Sequence, residues 1–183
     1  MHILMCNDDG ILADGLRHLA SYLSQYYRIT VVAPANEQSA KSHALTTEVP
    51  LKLDACNGED ENPRLYALTG TPSDCMKFGL SYLLTDDMPD LVISGINHGF
   101  NLGSDVLYSG TVSAAMESGF YGIPGLALSV ERYSVERGDE MHPFIHELIE
   151  KIYVAGQFSG LLNVNFPLRG TCDWDHFEMV SQG

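Results

Sequence analysis

The residues best equipped for chemistry come in short polar runs, each directly behind an apolar stretch. Asn7-Asp8-Asp9-Gly10 follows His2–Cys6, and Pro34-Ala35-Asn36-Glu37-Gln38-Ser39 follows Ile29–Ala33. Gly95-Ile96-Asn97-His98-Gly99, then Asn101, Gly103, Ser104 and Asp105, follows Leu91–Ser94. Asp8 and Asp9 are the sharpest feature. Neighbouring carboxylates near a dry edge repel, and near neutral pH the pair is relieved by raising one pKa or by binding a cation. An isolated Asp-Asp more often caps a turn and meets solvent. Behind a buried strand, in a turn punctuated by glycine, the cation reading gains. The oxygens carried by these runs are the Asp8 and Asp9 carboxylates, the Ser39 hydroxyl and the Asn97 amide. Such a set suits one hard divalent ion, Mg²⁺, Mn²⁺ or Ca²⁺. Two carboxylates roughly cancel the charge of such an ion, which keeps open positions and stays electrophilic towards a phosphate oxygen and a water.

Tyr108-Ser109-Gly110-Thr111 is the second feature. Ser109 or Thr111 can cap a small-residue helix, Gly110 lets the backbone approach a ligand, and free N–H groups at a helix start bind phosphate. An ordinary cap with close packing through Ala114-Ala115 explains the same residues equally well when they are taken alone. Gly70-Thr71-Pro72-Ser73-Asp74 is similar, and there the capping box favours structure. The seven histidines say less. His142 and His146 lie one helical turn apart, but no adjacent Glu makes an HExxH. His98 and His43 lie beside the polar runs without a defined role. Trp174 reads as a packing anchor.

These runs need a frame that brings them to one edge, and the order of segments supplies it. His2–Cys6, a helix over 13–26 with Leu16, Leu19, Ala20 and Leu23 at helical spacing, and Ile29–Ala33 make a strand–helix–strand unit with parallel strands. Val49–Ala55 and Arg64–Leu68 flank the polar connection 57–63 and read as a hairpin. A helix opens at Thr71, a strand runs over Leu91–Ser94, and a small-residue helix covers Gly110–Ser118. Then come a strand at Leu126–Val130, a helix at Pro143–Tyr153 and a last strand at Leu161–Phe166. The alternation predicts a single domain over 1–183, a three-layer α/β/α sandwich around a mainly parallel, Rossmann-like sheet. In such sheets ligands bind beyond the carboxyl ends of the strands, which is where the polar runs fall.

Composition removes whole classes of function. The 183 residues are 45% hydrophobic and 19% charged, within the range of ordinary globular proteins. Ten basic against 24 acidic residues give a formal net charge of −14. That field argues against a nucleic-acid polymer and against anionic membrane as partners. A small anionic substrate would need local positive charge from a helix start or a metal ion. The apolar His2–Cys6 run is too short for a signal peptide, so the expected location is the cytoplasm. Four cysteines without a CxxC pair read as reduced, mostly buried thiols, not as a disulfide frame or a sulfur-bound zinc site.

Taken in order, Asn7-Asp8-Asp9-Gly10, Ser39, Gly70-Thr71-Pro72-Ser73-Asp74-Cys75, Ser94-Gly95-Ile96-Asn97-His98-Gly99 with Asn101-Leu102-Gly103, and Tyr108-Ser109-Gly110-Thr111-Val112-Ser113-Ala114-Ala115-Met116-Glu117 resemble the survival protein SurE family. The resemblance covers Met1 to about Pro167. It implies a SurE-like fold and a cytoplasmic, metal-dependent phosphatase that releases phosphate from nucleoside 5′- and 3′-monophosphates, with activity on short polyphosphate as well. It places the metal ligands on Asp8, Asp9, Ser39 and Asn97, with Asp8 and Asp9 also catalytic, and the phosphate contacts on Asn97 and on Ser109, Gly110 and Thr111. The implied cofactor is one divalent ion, Mg²⁺ or Mn²⁺, and the implied assembly a homodimer or higher homo-oligomer. Family chains continue past Leu161–Pro167 into an extended arm that swaps between protomers, and 170–183 reads as a truncated form of it. Attack by an oriented water and direct attack by Asp8 both remain open. Two rivals belong to other classes, a phospho-receiver-like module and a non-catalytic nucleotide-binding module. The first lacks a Lys directly after Leu126–Val130 or Leu161–Phe166, and the second lacks a GxGxxG or GxxxxGK[ST] loop.

Overall fold

In the computed structural model, which describes residues 1–156 and 158–181, the first strand β1 (His2–Cys6) is buried along its whole length. Its run of apolar side chains has no polar alternation because both of its faces are covered. Ile3 and Met5 face one helical layer, while Leu4 and Cys6 face the other. Helix α1 (Asp14–Leu23) sets Leu16, Leu19, Ala20 and Leu23 against the first of these layers, and β2 (Arg28–Pro34) pairs with β1 in parallel.

The sheet has seven strands among the described residues, in the order β3-β4-β2-β1-β5-β6-β7. Here β3 is Leu53–Ala55, β4 Arg64–Leu68, β5 Leu91–His98, β6 Gly125–Val130 and β7 Leu161–Phe166. All pairings are parallel except β3 with β4. Helices α2 (Pro72–Phe78) and α3 (Gly110–Glu117) cover one face, and α1 and α4 (Val135–Leu148) the other. The strand order reverses around β1, so the ends of β1, β2 and β5 open on one crevice. The expected α/β/α sandwich and mainly parallel sheet are what the chain forms.

Three boundaries differ from the sequence expectation. The hairpin forms, but β3 keeps only Leu53–Ala55, and 49–52 stay irregular. Helix α4 begins eight residues before Pro143, because the Ser134 hydroxyl caps it by accepting the Arg137 N–H at 3.2 Å. Pro143 then lies inside the helix, where it removes one backbone bond. The helix continues as a wider π turn over Ile149–Ala155.

The third difference concerns the site. β5 runs through Asn97 and His98, with an irregularity against β6 between Ser94 and Asn97. Gly95 makes this possible: its φ is +133°, and a Cβ there would collide with the Leu128 carbonyl oxygen. A bulge of this kind re-aims the residues beyond it.

All four cysteines are free thiols; Cys6 and Cys75 are buried, Cys172 is half-buried and Cys56 exposed. Trp174 packs between Phe144 and Phe177, with the Lys151 ammonium 4.4 Å above its ring, so it is a packing anchor. Among the described residues no helix is long and apolar enough to cross a membrane.

Candidate active site

The turn after β1 is closed by one side chain. Asn7 is fully buried; its Nδ2 donates to the Gly10 carbonyl at 3.0 Å and its Oδ1 accepts the Gly10 N–H at 3.1 Å. Gly10 takes φ +99° to complete the turn. The two intervening aspartates are thereby held at the carboxyl edge of the sheet.

Asp8 is 5% exposed, and its Oδ1 accepts the Thr111 hydroxyl at 2.6 Å. The Thr111 backbone N–H also donates to this carboxylate. Gly110 gives the room for that approach, since a Cβ there would lie 3.1 Å from both Cβ and Oδ2 of Asp8. Ser109 is the α3 cap: its hydroxyl oxygen accepts the Val112 N–H at 3.1 Å, which leaves its own proton free to be donated. The Asp8 backbone carbonyl accepts the Gln38 N–H at 2.7 Å and so fastens the loop after β2 to the turn.

Asp9 is half-buried and accepts the backbone N–H of His98, which the β5 bulge delivers. Its Oδ2 is buried without a hydrogen-bond partner. Burial first, then the charge of Asp8, pushes Asp9 up to about 6. Burial likewise raises Asp8, opposed by the Thr111 hydroxyl. Both acids thus sit where ionisation is disfavoured, and a cation between them would reverse that.

Asn97 is half-buried and its Nδ2 donates to the Gly99 carbonyl at 3.0 Å, so its oxygen is the atom left for a cation. Ser39 is exposed, and its hydroxyl donates to Glu37 Oε1 at 2.8 Å. Glu37 lies in the polar run after β2, where the sequence assigns it no role. Its charge raises both Asp8 and Asp9, making it a third acid at the edge.

The fold therefore brings Asp8, Asp9, Asn97, Ser109, Gly110 and Thr111 to one place, with Ser39 joined through Glu37. His43 goes elsewhere: its Nε2 is 2.7 Å from Glu117 Oε2, at the far end of α3. His98 is exposed, with its ring centroid 6.0 Å from that of Tyr133.

A half-buried acid with one buried, unpartnered oxygen, a buried acid beside it, and neutral oxygen donors around them fit a divalent cation, and the set contains no nitrogen or sulfur ligand. A cleft of about 240 Å³ is lined by Ala35, Asn36, Gln38, Thr46, Val49 and Leu68, among others; neither aspartate lines it, but the Gln38 N–H bonds the Asp8 carbonyl.

Parallel-sheet crevice, paired aspartates and capped small-residue helix together define a doubly wound α/β protein with a cluster of oxygen donors at its strand ends. More narrowly, the chain belongs to the survival protein SurE family, whose model matches residues 3–183 and so includes the segment beyond Pro167. It is 49% identical over 168 residues to the 5′-nucleotidase SurE of Thermoanaerobacter sp. (strain X514), covering 91% of this chain and 66% of that one. The 5′-nucleotidase SurE of Thermosipho africanus is 45% identical over 172 residues, covering 91% and 65%. The crystal structure of SurE protein from Aquifex aeolicus superposes with a TM-score of 0.77 at 38% identity, covering 91% of this chain and 66% of that one. The chain spans about two thirds of the length of the curated relatives it matches.

Proposed function

We propose that the protein is a metal-dependent nucleotidase that hydrolyses nucleoside monophosphates, at the 5′ or 3′ position, to nucleoside and phosphate, and that it accepts short polyphosphate. The observation that carries this reading is the pairing of buried Asp8 with half-buried Asp9 at the strand ends, where Asp9 Oδ2 is buried and unpartnered. Relatives named 5′-nucleotidase at 45–49% identity supply the substrate class.

Asp8, Asp9, Ser39 and Asn97 would hold one divalent ion, Mg²⁺ or Mn²⁺. Bound there, it would polarise a phosphate oxygen and offset the charge that develops on it. The remaining work falls to the chain itself. The Thr111 hydroxyl keeps Asp8 fixed, so its carboxylate is already oriented when the ester arrives. Gly110 N–H, the Ser109 hydroxyl and the Asn97 amide surround the place where the phosphoryl oxygens lie, with the α3 N-terminus behind them. Each well-aimed donor of this sort is worth about 2–4 kcal/mol in a water-poor site. Asp9 would serve as a ligand, and the bound ion would reverse the upward shift that burial and Asp8 give it. The cleft beside Gln38 and Thr46 takes the nucleoside.

The cytoplasm and a homo-oligomer complete the reading; they rest on the family resemblance alone. Incubation with AMP and Mn²⁺, with and without a chelator, is the test. Phosphate release that the chelator abolishes supports the enzyme, whereas tight AMP binding without release would overturn it.

A further inference from the structure

Away from the strand ends, a second group of ligand-type side chains meets between α1 and α4. His18 comes from α1, and Asp139 and His142 come from α4, three residues apart and so on one helix face. One ligand-capable atom of each lies within 4.8 Å of the others. His142 is fully buried, and neither of its ring nitrogens has a hydrogen-bond partner. Buried polar atoms normally find partners, so an orphaned imidazole calls for an explanation. It does not pair with His146, whose ring stacks on Tyr26 at 4.0 Å between centroids. Instead it meets His18 edge-on, with centroids 4.6 Å apart. Burial and then His18 push His142 down to about 4, so at neutral pH the ring is uncharged and carries a lone pair.

The surroundings are arranged around the same point. His18 Nε2 lies 3.3 Å from Asp139 Oδ1, and His18 Nδ1 lies 2.9 Å from the Tyr133 hydroxyl. Gly138 leaves the volume open: a Cβ there would lie 2.5 Å from the Tyr133 hydroxyl oxygen and 3.2 Å from His142 Nε2.

We propose that His18, Asp139 and His142 form a second cation site, distinct from the oxygen-donor site and selective for Zn²⁺ or a metal of similar preference. Two imidazoles and a carboxylate suit Zn²⁺, whereas Mg²⁺ and Ca²⁺ favour oxygen alone. Ligands about 2.0–2.1 Å from a tetrahedral ion are about 3.3 Å apart, which His18 and Asp139 already match. His18 and Asp139 are the more exposed members, with side chains 30% and 67% exposed, and turning them closes the remaining distance. Tyr133 would hold Nδ1 of His18 and leave Nε2 for the ion, the usual outer support of a metal-binding imidazole. Three protein ligands leave one position for water on the exposed Asp139 side. The ion would tie α1 to α4.

The test loads Co²⁺, a coloured substitute for Zn²⁺, into the full chain carrying Asp8→Asn and Asp9→Asn, which silences the oxygen site. The expected result is one equivalent bound, the intense visible bands of four-coordinate Co²⁺, and displacement by Zn²⁺ but not by Mg²⁺. His18→Ala and Asp139→Asn, both at partly exposed positions that the fold tolerates, should each weaken Co²⁺ binding at least tenfold and remove the bands. No bound Co²⁺, or binding that these two substitutions leave unchanged, would overturn the proposal. So would displacement by Mg²⁺.

Discussion

Helices α2 and α3 begin alike, with a hydroxyl cap beside a glycine on the same face of the sheet, yet they use their free N–H groups differently. At α2 the acid is its own. Asp74 accepts the Thr71 N–H at 2.9 Å while the Thr71 hydroxyl oxygen accepts the Asp74 N–H at 3.1 Å. Asp74 also takes the Thr46 N–H at 3.0 Å, and the Thr71 hydroxyl donates to the Ala44 carbonyl at 2.7 Å. The capping groups of Thr71 and Asp74 are thus all bonded inside the fold, while the buried Ser73 hydroxyl of that turn has no partner. At α3 no acid lies in the first turn, and the carboxylate that arrives is Asp8, from β1. A start that closes on itself is scaffold, whereas one that receives a distant acid holds that acid for another purpose.

The strongest way to break the contrast is to remove the distant acids. Asp8→Asn with Asp9→Asn should lower phosphate release from AMP with Mn²⁺ at least about a thousandfold while the circular dichroism stays native. Retained turnover would reduce α3 to the status of α2. Matched threonine substitutions sharpen it. Thr111→Val should cost about 10–100-fold in phosphate release through a misplaced Asp8. Thr71→Val should instead cost roughly 1–2 kcal/mol in urea unfolding and leave turnover nearly unchanged.

A subtler contrast lies in pH. Asp9 in the folded chain titrates above its ordinary value of 3.8, at about 6. Its contribution to stability is therefore fully present below 3.8 and is lost as the pH rises through about 6. Metal-free Asp9→Asn should melt higher than the parent near pH 7, by roughly 1 kcal/mol after allowing for its partial exposure, and the gap should close towards pH 4. Asp74→Asn should show no such gain. Ser39→Ala is expected to have the smallest effect. Its exposed hydroxyl bonds Glu37 alone, so stability should move by less than about 0.5 kcal/mol, with turnover down several-fold through weaker Mn²⁺ binding.

Much of this was legible in the residues. Strands buried on both faces announce themselves as apolar runs, which is why β1 and β6 fall within a residue of where expected. The polar runs behind them marked the edge because a parallel sheet sends every strand end the same way. The α2 capping box could be read from Thr71 and Asp74 alone. What escaped depends on distant partners. The extension of β5 to His98 rests on Gly95 lying against Leu128 in the neighbouring strand, and the early start of α4 depends on Ser134 against the stronger local signal of Pro143. The bond between Thr111 and Asp8 spans 103 positions, and no spacing rule reports it. Glu37 stood in plain view, but its influence on the aspartates comes from the loop being fastened by Gln38. His142 and His146 stand one helical turn apart in the sequence, but the imidazole that His142 meets is His18 on α1, which no spacing along α4 reports.

Glu37 has a kinetic consequence. With Asp8 and Asp9 it gives the edge three carboxylates, two of them withdrawn from water and Glu37 itself exposed. On the proposed function, a phosphate ester reaching that edge ahead of the cation would be repelled, so arrival would be ordered: cation first, ester second. Raising AMP without Mn²⁺ should leave the crevice empty, and the apparent affinity for AMP should track how much Mn²⁺ is already seated.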